Sequence, residues 1–239
     1  MRRTTTRLLA LLLAAAAGSR LPADPVTAPA KPEEAEWAKL SKYREADQRL
    51  APPARGEHRV VFMGDSITEF WSKLDPEFFA EKPYINRGIS GQTTSQMLVR
   101  FRQDVLTLQP EVVVILGGVN DIAENGGPTT LGAVEDNLQS MVELAEAHHI
   151  RVVLSSVLPA KDFPWHPGLQ PADKVFALNA WIAQYCARAG LVFLDYYPAM
   201  SDGARGLFGP YSEDGIHPNG AGYAVMDALA EKAIAAARR

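Results

Sequence analysis

Residues Val112-Val113-Val114-Ile115-Leu116 form an unbroken apolar run, and no other stretch limits the possible folds so sharply. A strand with no polar face must be covered on both sides, as the central strands of parallel sheets are. Pro110 stops the preceding helix, and Gly117-Gly118-Val119-Asn120-Asp121 follows as a glycine turn with polar residues. The pattern recurs. Val60-Val61-Phe62-Met63 runs into Gly64-Asp65-Ser66, and Tyr84-Ile85-Asn86-Arg87 closes in Gly88-Ile89-Ser90-Gly91. Arg151-Val152-Val153-Leu154 and Leu191-Val192-Phe193-Leu194 supply a fourth and a fifth strand. Helical spacing fills the intervals: Met97, Phe101, Val105 and Leu108 share one face, and Val134, Leu138, Met141 and Ala145 point inward from a long helix. Further helices are expected around Phe70 to Ala80, from Asp173 to Ala189 and from near Gly220 onward. Strands alternating with helices, without hairpin signals, predict an α/β fold: a three-layer, doubly wound, five-stranded parallel sheet.

The rest of the composition bounds the molecule. Its 239 residues are 47% apolar and 22% charged, which suits one globular domain with a substantial core. A net charge of −4 offers no basic footprint, so neither nucleic acid nor an anionic lipid surface is an expected partner. Cys186 is the single cysteine, which excludes an internal disulfide and a cysteine-cluster metal site. Its helical neighbours Trp181, Ile182 and Tyr185 mark it as a core residue.

Arg2, Arg3 and Arg7, the apolar stretch Leu8 to Ala17 and the small residues Ala17-Gly18-Ser19 predict a signal peptide over residues 1–19. The stretch is too short for a stable membrane anchor, and no cysteine follows it to carry lipid. Its removal takes three arginines and no acid, moving the charge from −4 to −7. Export, to the periplasm or beyond the cell, is the expectation. A flexible Pro/Ala lead-in over 20–31 follows. One domain then runs over 32–239, opening with a flanking helix between Pro32 and Leu50 that carries Trp37, Leu40 and Tyr43.

Polar residues gather where the strands end. In open α/β sheets ligands bind outside the carboxyl ends of the strands, where Ser66, Gly88 and Asn120 all lie. The last loop adds Asp214-Gly215-Ile216-His217-Pro218. That inventory suits nucleophilic acyl transfer. A serine hydroxyl needs a base to remove its proton, and imidazole, with an unperturbed pKa of about 6.5, does so near neutral pH. A carboxylate three residues away can fix its tautomer. The backbone N–H groups of Ser66 and Gly88 and the Asn120 amide are candidate donors to an oxyanion.

Gly64-Asp65-Ser66-Ile67-Thr68, Asn86-Arg87-Gly88, Gly118-Val119-Asn120-Asp121 and Asp214-Gly215-Ile216-His217-Pro218 resemble the four blocks of the SGNH or GDSL hydrolase superfamily, in its order. The one departure is Ile67, where the family name has leucine. The resemblance implies a flavodoxin-like sheet, with Ser66 as nucleophile, His217 as base and Asp214 as its orienting acid. Gly88 and Asn120 would join the Ser66 N–H as oxyanion donors, and no metal or organic cofactor is implied. The implied partner is a small-molecule ester, with acetyl on a carbohydrate or similar small alcohol as the leading expectation. A thioesterase or lysophospholipase is the alternative within the same chemistry, and a carbohydrate-binding module without turnover the alternative outside it.

Other polar residues carry less. Asp65 and Asp121 are expected to hold loops through nearby backbone, and His148 and His149 to suit a helix C-terminus. The loop from Pro159 to Pro171, with Phe163, Trp165 and His166, is a candidate substrate wall. No serine lies in a Gly-x-Ser-x-Gly frame, and neither a phosphate-binding glycine-lysine loop nor a His-Glu-x-x-His helix is present.

Overall fold

The computed structural model describes residues 36–239, so the expected signal peptide and lead-in lie outside the described residues. Five parallel strands make one sheet: β1 (Val60–Gly64), β2 (Tyr84–Gly88), β3 (Val112–Leu116), β4 (Arg151–Ser155) and β5 (Val192–Leu194). Their spatial order is β2-β1-β3-β4-β5. The expected doubly wound α/β sheet is therefore the observed one. β1 and β3, the most apolar runs, are central and buried along their whole length.

The helices are α1 (Arg44–Arg49), α2 (Ser66–Leu74), α3 (Pro76–Phe79), α4 (Thr94–Asp104), α5 (Val119–Ile122), α6 (Leu131–Ala147), α7 (Ala172–Ala189), α8 (Tyr197–Met200) and α9 (Gly220–Ala237). The crossovers put α4, α6 and α7 side by side on one face and α2 with α9 on the other. Cys186 is buried in α7, as its helical neighbours predict.

The order in which strands are added reverses at β1 and β3, so the connections leaving these two parallel strands run to opposite sides and open a crevice at the sheet's carboxyl edge. Register sharpens the placement: Gly64 of β1 pairs with Gly88 of β2 on one side and with Leu116 of β3 on the other. The residues following all three strands emerge at one level.

Two segments differ from expectation. The helix predicted between Pro32 and Leu50 is, within the described residues, regular over Arg44–Arg49, while residues 37–43 run as turns. Three carbonyls there accept side-chain amides from elsewhere: Trp37 from Gln96 (2.7 Å), Ala38 from Gln92 (2.8 Å) and Leu40 from Gln103 (2.8 Å). Lys39 has a positive φ of 51°, which no helix continues through. Tertiary hydrogen bonds have replaced helical ones. The second difference is that the helix after β1 starts at Ser66 rather than near Phe70, because Asp65 caps it by accepting the Ile67 N–H at 3.0 Å.

Candidate active site

Ser66 is the first residue of α2, so its N–H is one of the helix's unpaired donors. Its Oγ lies 2.9 Å from His217 Nε2. His217 Nδ1 lies 2.6 Å from Asp214 Oδ2, and because a carboxylate only accepts, the ring proton sits on Nδ1. Neutral His217 therefore offers a lone pair at Nε2 to the Ser66 hydroxyl. The other oxygen of Asp214 is held independently: Oδ1 accepts the Ile216 N–H (2.9 Å), the His217 N–H (2.8 Å) and the Ser212 hydroxyl (3.2 Å). One short loop thus builds the base and its support, and the long-range step is bringing that loop to Ser66, 151 residues earlier. Phe70, one turn along α2, lies with its ring centroid 5.3 Å from that of His217.

Gly88 sits close by, with its N–H already engaged. It donates to Asn86 Oδ1 at 2.9 Å, and the Gly88 carbonyl accepts the Tyr43 hydroxyl. What Gly88 does is permit contact, since a Cβ there would stand 2.1 Å from the Glu69 nitrogen. Along the loop that follows, the Ile89 N–H donates to the Gly64 carbonyl (3.0 Å), Ser90 to Glu69 Oε2 (2.8 Å) and Gln92 to the Ile89 carbonyl (3.3 Å). Gly91, exposed and at a φ of 79°, has an N–H without a partner among the described residues. Sequence reading did not single it out, because Gly91 looks like an ordinary turn glycine.

Asn120 is 3% exposed and fully engaged. Its Nδ2 donates to Asp65 Oδ2 (3.1 Å) and to the Gln92 carbonyl (3.0 Å), while its Oδ1 accepts from Asn125 Nδ2 (2.6 Å). Asn125 Oδ1 in turn accepts the Trp165 indole N–H at 2.9 Å. The Pro159–Pro171 loop is thereby tied to the crevice. Phe163 is wholly buried and forms no wall, whereas Trp165 is 47% exposed, its ring centroid 6.4 Å from that of His217. His166 Nδ1 donates to the Ala123 carbonyl at 3.1 Å. Neither Gln92 nor Asn125 was singled out from sequence, since Asn125-Gly126-Gly127-Pro128 reads fully as a turn.

Asp65 caps α2 as expected but also anchors Asn120. Asp121 reaches further than nearby backbone: it accepts the Thr94 N–H (2.9 Å) and hydroxyl (2.7 Å), clipping the loop after β3 to α4. Behind the crevice, Arg100 is fully buried and donates to the Gly64 carbonyl (2.8 Å), to Asp104 (2.9 Å) and to Gln92 Oε1. Its guanidinium joins the end of β1 to the Gly88–Gln92 loop. Among the described residues no group of three or more His, Cys, Asp or Glu is placed to hold a metal ion, and no helix is long and apolar enough to cross a membrane.

The electrostatics of these carboxyls predict an unusual pH profile for stability. Burial pushes Asp65 up to about 7, against the pull of the Ile67 N–H and nearby His217. Burial and the neighbouring Asp75 raise Asp227 as well. Each is neutral in the fold where the unfolded chain, titrating near 3.9, has already ionised. Their contribution is complete below about pH 4 and is lost as pH rises through about 7. Asp214 and Glu69 act oppositely. Partial burial alone would raise both, but His217 and the loop backbone hold Asp214, and Ser90 with two lysines holds Glu69, at about 2. Their contribution is present above about pH 4 and disappears as pH falls through about 2. The urea midpoint is therefore expected to be higher near pH 4 than at pH 2 or pH 8. A midpoint still climbing from pH 5 to 8 would mean that Asp65 and Asp227 ionise in the fold without cost.

Known proteins share sequence and fold with this chain. The family model described as GDSL-like Lipase/Acylhydrolase matches residues 62–225, from β1 into α9. The crystal structure of a GDSL-like lipase from Bacteroides thetaiotaomicron is 45% identical in sequence, with a TM-score of 0.83 over 84% of this chain and 100% of that one. Esterase TesA of Pseudomonas aeruginosa is 28% identical over 172 residues, covering 66% of this chain and 79% of TesA. A Bacillus subtilis lipoprotein, YqeF, is 35% identical over 78 residues, so this chain spans about a third (32%) of its length.

Proposed function

We propose that this chain, which belongs to the GDSL-like lipase/acylhydrolase family, is a serine esterase acting on carboxylic esters with short acyl groups. The observation that carries the reading is the unbroken contact from Ser66 Oγ through the His217 ring to Asp214, at 2.9 and 2.6 Å. Ser66 attacks the ester carbonyl while His217 Nε2 takes its proton, and the imidazolium formed is balanced by Asp214. The tetrahedral oxyanion falls to the Ser66 N–H and to the Asn120 amide, which exchanges one of its two existing bonds, to Asp65 (3.1 Å) or to the Gln92 carbonyl (3.0 Å), for the oxyanion. We assign the third donor to Gly91 in place of Gly88. Its N–H is free, and the adjacent residue, Gln92, is already bound to Asn120. His217 then returns the proton to the departing alcohol; next it takes a proton from water, which attacks the acyl-enzyme carbonyl, and returns that proton to Ser66 Oγ as the Ser66 ester bond breaks and the carboxylic acid leaves. None of these steps calls for a metal or organic cofactor. The basic, apolar and small-residue pattern of residues 1–19 supports export as part of the reading.

Acyl length is the property that tests it. The cleft against His217, about 460 Å³, is bordered by Leu74, Glu213, Asp214, Pro218, Asn219 and Gly220, and Ser66 is not among its lining residues, so it provides no apolar groove leading from the nucleophile. A buried methylene gains about 0.8 kcal/mol only where an apolar wall receives it. The value of kcat/KM is therefore expected to fall from acetyl and butyryl esters of one phenol to the decanoyl and dodecanoyl ones, measured below their micelle thresholds. A specificity constant that climbs with length would replace the short-acyl reading with that of a lipase or lysophospholipase.

A further inference from the structure

We propose that the exposed indole face of Trp165 is the platform for the alcohol portion of the substrate, and that this portion is a neutral sugar ring. The inference rests on the esterase reading and adds the chemistry of the leaving group to it. Position comes first. The alcohol oxygen must lie within hydrogen-bond reach of His217 Nε2 to receive its proton. The Trp165 ring stands 6.4 Å from the His217 ring, its plane inclined by 34°, so a six-membered ring bearing that oxygen can lie against the indole.

The platform is also held in place. Trp165 is 47% exposed, yet its N–H is fixed on Asn125 and its ring packs at 5.3 Å on the buried Phe163. Pro164 and Pro167 on either side stiffen the backbone. A rigid aromatic face with an open, wet rim suits a ligand that has one C–H face and hydroxyls around its edge, as a pyranose does.

Charge selects against the rival alcohols. Beside this loop a cleft of about 290 Å³ is bordered by Lys161, Asp162, Asp202 and Asp214, and Glu213 lines the second cleft together with His217. The lysine is neutralised by Asp202 at 2.7 Å, which leaves a negative rim. Leaving groups that carry phosphate, such as coenzyme A or a lysophospholipid, meet repulsion there, and an uncharged sugar does not.

The test compares wild type, Trp165→Ala and Trp165→Phe on an acetylated methyl pyranoside, ethyl acetate and acetyl-CoA, with denaturation midpoints confirming folding. Both variants lose the N–H to Asn125, so their common change on ethyl acetate measures that link alone. Beyond it, Trp165→Ala is expected to lower kcat/KM on the pyranoside a further ten- to hundredfold or so, chiefly through KM, while Trp165→Phe keeps most of it. The unacetylated pyranoside should inhibit ethyl acetate hydrolysis in wild type and do so more weakly in Trp165→Ala. Equal losses on pyranoside and ethyl acetate in Trp165→Ala would reduce the indole to a loop strut and overturn the platform. Acetyl-CoA as the best of the three substrates would overturn the neutral ring. A wild type inert on all three would strike the esterase reading itself, a result distinct from either.

Discussion

Ser66→Ala is expected to remove ester hydrolysis entirely at ordinary enzyme concentrations while leaving the denaturation midpoint close to that of wild type. The two halves of that expectation have separate causes. In a concerted nucleophile–base pair, loss of either member costs on the order of 10⁶ in kcat, because no other group can form the acyl-enzyme. Stability is spared because the hydroxyl's contact is with Nε2 of His217, a side chain 24% exposed to water. No buried donor or acceptor is stranded, which is what makes polar deletions expensive. The variant must be purified free of host esterase and followed with the acetyl ester. Retention of more than a small fraction of wild-type kcat would remove Ser66 from the chemistry. A folded, inactive protein is the outcome that the geometry supports.

Much of the fold was legible because each strand announces its own burial. Val112 to Leu116 has no polar face, and β3 is central; Arg151 opens its strand with a charge, and it is the exposed end of β4. Glycine turns after three strands located the crevice correctly, because the parallel register lines up Gly64, Gly88 and Leu116 at one edge. Ser66, Asp214 and His217 were legible as residue types, and the structure brings the three side chains into contact.

What was not legible depends on partners far away in sequence. Nothing local in Trp37 to Leu40 tells that three glutamine side chains from α4 and the loop before it will claim their carbonyls, so a helix was the natural local reading. The choice between Gly88 and Gly91 turns on one side chain, Asn86, whose oxygen takes the Gly88 N–H. The line from Trp165 through Asn125 and Asn120 to Asp65 spans 100 residues of sequence in three hydrogen bonds, and only the folded topology closes it. Local propensity finds elements; the polar links between loops belong to tertiary structure.

Asp214→Asn should cost less activity than losing the serine but still nearly all of it, for a reason that can be traced atom by atom. Asp214 Oδ1 is surrounded by three donors, the N–H groups of Ile216 and His217 and the Ser212 hydroxyl. An asparagine must leave its carbonyl oxygen there, since turning the amide round would face NH₂ against those N–H groups. Its NH₂ then occupies the place of Oδ2, 2.6 Å from His217 Nδ1, and donates to a ring nitrogen that used to donate to it. The imidazole is driven to the other tautomer, with its proton on Nε2, pointing at the Ser66 oxygen it is meant to deprotonate. The expected fall in kcat is about 10⁴-fold, with KM little changed, because substrate binding does not use this pair. Asp214 is held at about 2, so wild type keeps its carboxylate throughout the working pH range and the loss in the variant cannot be recovered by lowering pH. At high pH hydroxide can partly substitute for the disabled base, so the ratio of wild-type to variant kcat should narrow above neutrality. A variant that retains a tenth or more of wild-type kcat at neutral pH would show that His217 keeps its working tautomer without Asp214, and the orienting role would have to pass to another group.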